Sequence, residues 1–140
     1  MLVAFIVLVL IGHGLIVAAQ ARTSFGISKS PPADPDWLRW WPVPLGRSWL
    51  LDRAGLSGGS LEKALGAVWL LSGLCLVAAG FGFMGVVVPL GLWPALVVIG
   101  ATGALVMLLL YLHPFYLIGI LVDVAAPAYL LGIYRLAGVF

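Results

Sequence analysis

Three ionisable side chains lie within or beside strongly apolar stretches of this sequence: His13, Asp123 and His113. A charge held in lipid is costly, so each needs a partner and marks a place to look for chemistry. His13 stands nine residues before Arg22, and Asp123 stands nine residues after Pro114. Measured from one membrane face along helices, both depths come to ~13 Å. The first and last helices of a simple four-helix bundle are neighbours, so the two side chains can meet near mid-bilayer. Two readings of such a pair stay open. It is a buried polar pair that holds two helices in register, or it is a ligand-binding site. In the second reading His13 donates a hydrogen bond to a carbonyl, most plausibly of a quinone, and Asp123 is its proton partner. Gly12 and Gly14 would bare the helix around the imidazole, which would also admit a pigment macrocycle. Pro127 has no N–H, so the Asp123 carbonyl loses its usual donor one turn on.

His113, beside Pro114 and between Tyr111 and Tyr116, belongs to the edge of its span. Its depth differs from that of His13, which argues against two axial ligands on one haem, and bonding to the preceding polar connection is expected instead. Two separated histidines and one membrane carboxylate do not close a metal ligand set. Cys75 is the single cysteine, which excludes an intrachain disulfide and any thiolate cluster. No Ser-His-Asp set, phosphate loop or paired acid is present, so no catalytic residue is assigned.

The elements that must position these residues follow from composition. Of 140 residues, 64% are hydrophobic and 9% charged, with a mean hydropathy of +1.20. A soluble domain carries about 25% charged residues. That contrast excludes a cytosolic enzyme, a nucleic-acid-binding module and a secreted disulfide scaffold, and leaves an integral membrane protein in contact with the lipid bilayer. Ten of the charged residues lie between Arg22 and Lys63; the other two are Asp123 and Arg135. Spanning the hydrocarbon core takes about 20 apolar residues, which cuts the chain into spans at about 2–21, 61–83, 92–112 and 115–136. The first has no Lys or Arg before its apolar run and is read as a retained helix rather than a signal peptide. Ser60 is an N-cap for the second, and His113-Pro114 ends the third. The expectation is one all-α membrane domain over 1–140, an up-down bundle of four transmembrane helices.

Within that bundle Gly66, Gly73 and Gly80 recur at intervals of seven, Gly100 and Ala104 at four, and Gly119, Asp123 and Pro127 at four. Each set forms a row on one helix face, where small residues let backbones approach. The 22–60 connection holds Arg22, Lys29, Arg39, Arg47, Arg53 and Lys63 on or just beyond it, against Arg135 on the other side. The positive-inside rule puts this connection in the cytoplasm and both termini outside, in the inner (cytoplasmic) membrane. Pro31, Pro32, Pro35, Pro42 and Pro44 deny the connection long helices, although 46–54 could form a short interfacial one. Trp37, Trp40, Trp41 and Trp49, interleaved with Arg47 and Arg53, read as an interfacial cap or as a docking face for a partner.

Gly12-His13-Gly14-Leu15-Ile16, the segment Pro44-Leu45-Gly46-Arg47-Ser48-Trp49-Leu50-Leu51, and the Leu112-His113-Pro114 turn followed by Gly119 and Asp123 carry a resemblance. In these the chain resembles an uncharacterised branch of small four-helix bacterial membrane proteins of the broad DoxX-like type. The resemblance implies a four-helix fold and, in some members, an association with quinone-linked or thiol-stress redox systems. The lack of a catalytic set and of an extramembrane domain favours a non-catalytic accessory or structural subunit bound to membrane-protein partners. The alternatives are a quinone or other small-molecule site, a small transporter or proton path, and a pigment-binding subunit.

Overall fold

A computed structural model of the chain describes residues 1–27, 34–56 and 59–136, with side chains through residue 132. Among them are helices α1 (Leu2–Ser24), α2 (Trp49–Arg53), α3 (Gly59–Phe83), α4 (Trp93–Leu110) and α5 (Leu117–Leu136), with single 3-10 turns at Asp36–Leu38 and Pro114–Tyr116. Four of these helices are long and apolar enough to cross a membrane. The protein is an all-α, multi-pass integral membrane bundle. Lys29, Pro31, Pro32 and Gly58, and the side chain of Arg135, lie outside the described residues.

Each span boundary shifts for a local reason. The first helix runs on to Ser24, past the expected end at 21, and closes where Gly26 turns left-handed at φ 68°. There the Gly26 N–H bonds the Thr23 carbonyl and the Ile27 N–H bonds the Arg22 carbonyl, the paired bonds of a Schellman ending. Gly85, at φ 70°, ends α3 in the same way. Ser60 is not the cap of α3, because the helix already includes Gly59. The third span stops at Leu110 rather than 112, where groups from the connection take over its last carbonyls. The fourth opens as a 3-10 turn over Pro114–Tyr116 and becomes α-helical at Leu117. The interfacial helix is confined to Trp49–Arg53, since Gly46 at φ 82° and the capping Ser48 stand outside it.

Small residues explain how the long helices associate. On α1, Val7, Leu10, Gly14, Val17 and Ala21 are buried, spaced alternately by three and four, and so form one stripe. They face the Gly66, Gly73 and Gly80 row of α3. A Cβ built on Gly14 would stand 2.7 Å from the Gly73 carbonyl oxygen, and one on Gly73 would stand 2.5 Å from the Ala18 nitrogen. These backbones touch. Between α3 and α4 the same role falls to Gly100, whose added Cβ would lie 2.9 Å from the Ser72 carbonyl, and to Gly103, against the Ser72 hydroxyl. Helix α5 packs on α4 through Gly119 and Leu108, while Leu117, Ile118, Leu121 and Val124 stay exposed, as lipid-facing residues should. Consecutive long helices are therefore neighbours, and α5 comes back to α1 at His13 and Asp123.

Candidate functional site

Helices α1 and α5 meet at His13 and Asp123. Nε2 of His13 lies 2.9 Å from Oδ1 of Asp123, with the carboxylate side chain fully buried and the imidazole 12% exposed. The hydrogen bond between them gives each ionisable group a partner at this depth. Gly119, one turn before Asp123, faces the His13 ring; a Cβ there would make ordinary contact with the ring at 3.4 Å and a tighter one, 3.1 Å, with Leu108. The second carboxylate oxygen, Oδ2, is buried and has no hydrogen-bond partner among the described residues. Pro127, inside α5, removes the N–H that would otherwise reach the Asp123 carbonyl. The flanking glycines act differently from the sequence expectation. Gly14 is used up in packing against α3, and only Gly12 faces open space.

One turn from the pair, toward the chain termini, α1 and α5 part. The gap is a wholly apolar groove of about 410 Å³, lined by Phe5, Val9 and Leu10 on one side and Val122, Ala126 and Tyr129 on the other. Leu10 precedes His13 by three residues, and Val122 and Ala126 flank Asp123 in sequence, but the groove is lined by their apolar neighbours and neither His13 nor Asp123 is part of its wall.

His113 belongs to a different structure. It is 1% exposed and lies against the connection. Its Nδ1 accepts a hydrogen bond from the Phe115 N–H at 3.3 Å, which leaves the ring proton on Nε2. That nitrogen lies 3.3 Å from Oδ1 of Asp34, at ion-pair distance but without hydrogen-bond alignment, while Asp34 Oδ2 accepts from the Leu45 N–H. Trp41, Phe115 and Tyr116 pack their rings around the imidazole. Asp34 was not singled out from sequence, because an acid in a polar connection looks like a solvated charge.

The tryptophans also divide. Trp41 and Trp49 donate their indole N–H groups to the carbonyls of Leu112 (3.3 Å) and Leu109 (2.9 Å), and the Ser48 hydroxyl donates to Leu110 (2.7 Å). These are carbonyls at the end of α4 that a helix leaves unsatisfied. Ser48 was missed in the sequence although Ser before a short apolar run is a cap signal; its oxygen also accepts from the Leu51 N–H. Trp37 and Trp40 remain 66% and 68% exposed. Arg47 pairs with Asp52 at 3.1 Å, and Arg53 is exposed. Among the described residues, no group of three His, Cys, Asp or Glu side chains could hold a metal ion.

Comparison with protein-family models, with curated proteins and with solved structures finds no match.

Proposed function

We propose that this membrane protein binds a lipophilic molecule between α1 and α5, with the apolar body in the groove and a polar head at His13 and Asp123. The observation that carries this reading is that the same two helices hold a buried hydrogen-bonded His–Asp pair, a carboxylate oxygen with no partner among the described residues and, toward the chain termini, an apolar groove open to lipid. A pair serving only as a helix register pin needs neither the groove nor the spare acceptor. Quinones and quinols have the required form, a hydrogen-bonding ring on an apolar tail. A quinol hydroxyl can satisfy Oδ2, and a quinone carbonyl can accept a hydrogen bond from the imidazole. The resemblance to DoxX-like proteins is consistent with that class. A pigment is less well served, because the His13 Nε2 that would ligate it is already engaged by Asp123.

The test is a binding titration of the purified full chain with decylubiquinone and with its reduced form. Saturable binding should be weakened at least ten-fold, about 1.4 kcal/mol, by Asp123→Asn and by the groove-filling Ala126→Phe. Binding that neither substitution changes, or no binding of either form, would overturn the proposal.

The accessory-subunit reading rests on a different observation, the exposure of Trp37 and Trp40 beside Arg39 on the connection. Aromatic residues flanked by arginine are what partner surfaces use as anchors. Purification in a mild detergent tests it: a stoichiometric companion lost on Trp37→Ala/Trp40→Ala supports it, and a solitary chain rejects it. Both readings place the connection in the cytoplasm, by its excess of Lys and Arg.

A further inference from the structure

The connection and the end of α4 enclose a second pocket, of about 640 Å³, that the reading above does not use. Its walls include Trp41, Pro42, Pro44, Trp49 and Leu112. Both indole N–H groups are committed to carbonyls at or just past the end of α4 and the prolines have no N–H, so these walls present mainly apolar surface. Charge is confined to Arg47, Asp52 and Arg53. Asp52 holds only the Nε of Arg47, and the Arg53 guanidinium has no ion-pair or hydrogen-bond partner among the described residues. Two guanidiniums against one carboxylate leave a single positive charge unmatched. The negative end of the α4 dipole would oppose an anion here, but Trp41, Ser48 and Trp49 already donate to carbonyls at that end.

We infer that this pocket seats the phosphodiester headgroup of an anionic phospholipid. The unspent donors of Arg47 and Arg53 face the phosphate, and the Trp and Pro surfaces cover the glycerol and the first methylenes. Arginine forks bind phosphate oxygens well, and one net positive charge matches a headgroup of net charge −1 such as phosphatidylglycerol. Free phosphate would gain nothing from apolar walls, so the lipid is the better fit. The pocket also lies where it must, at the end of a membrane-spanning helix. The inference is independent of what binds at His13 and Asp123.

The experiment uses the full chain in detergent micelles doped equally with phosphatidylglycerol and phosphatidylcholine, with retained lipid read by native mass spectrometry. The wild-type chain should retain phosphatidylglycerol preferentially. Arg53→Gln should cut that preference about five-fold, the usual effect of one basic residue near an anionic surface. Arg47→Gln/Arg53→Gln should bring it to parity. Arg53 is exposed and unpaired, so its single variant decides the matter even if the double variant folds poorly. Parity in the wild type, or a preference unchanged in Arg53→Gln, overturns the inference. So does displacement of the lipid by inorganic phosphate beyond that by chloride at equal ionic strength, which would make this a site for the free ion.

Discussion

The hydrogen bond between His13 and Asp123 makes each residue depend on the other. Remove the imidazole, and a carboxyl group is left buried with neither oxygen partnered among the described residues; remove the carboxylate, and the imidazole loses the hydrogen bond that Oδ1 provides. A buried polar group orphaned in this way costs about 1–3 kcal/mol. His13→Ala and Asp123→Ala should therefore each lower the Tm of the detergent-purified chain. The double variant should lose clearly less than their sum, because the second change removes a group that the first had already stranded. Additive losses would mean that no coupling exists. Asp123→Asn separates structure from chemistry at the same atom, since it keeps the shape and a hydrogen-bonding oxygen but cannot share a proton. A register pin should tolerate Asn, whereas a ligand site should keep its stability and lose its ligand. The pairing was legible in the sequence because depth along a helix is arithmetic once a common face is chosen. The unpartnered Oδ2 and the groove were not, because they depend on how far α5 splays from α1, which no local pattern states.

Contact between α1 and α3 depends on glycine in a way that single residues can test. A methyl group at Gly73 would press on the α1 backbone at Ala18, where no flexible side chain can yield, so Gly73→Ala should destabilise by about 1–3 kcal/mol through overpacking. Gly12→Ala, two residues from Leu10 but facing open space, should be neutral or slightly stabilising by helix propensity. Equal thermal shifts for the two would refute backbone contact as the cause. The end of α4 offers a second case. Ser48→Ala removes both the donor to the Leu110 carbonyl and the cap on the Leu51 N–H, and should cost about 1 kcal/mol or somewhat more. Greater proteolytic cutting between residues 39 and 56 would show that the connection has loosened. The glycine rows and the four spans could be read from spacing and hydropathy alone, since lipid imposes one length and one packing chemistry on every helix. Helix ends could not be placed as well. Gly26 extends α1 past its apolar run, and the shortened α4 depends on donors from Trp41, Ser48 and Trp49, some sixty to seventy residues away in the chain.

At the scale of the molecule, the fold puts the connection and the 111–116 turn at one end of the bundle and the 84–92 turn at the other. Trp41, Ser48 and Trp49 tie the connection to the end of α4, and His113 faces Asp34 across the same junction. The connection therefore stays on its own side and carries its basic residues with it: Arg22, Arg39, Arg47, Arg53 and Lys63 lie at this end, against Arg135 near the other. Translocating the basic end would oppose the usual charge bias of membrane insertion, so it should remain in the cytoplasm. Two exposed positions report the two ends: Arg39, in the connection, and Leu90, in the turn between α3 and α4. Single cysteines placed there in a Cys75→Ala background should label asymmetrically in intact cells. Leu90→Cys should react with a membrane-impermeant maleimide, and Arg39→Cys should react only after the cells are permeabilised. The reverse pattern would invert the protein and move the pocket at Arg47 and Arg53 to the outer leaflet. Labelling of both sites in intact cells would mean two insertion orientations, an outcome that Arg135→Lys/Leu90→Cys could not correct but added lysines in the connection should.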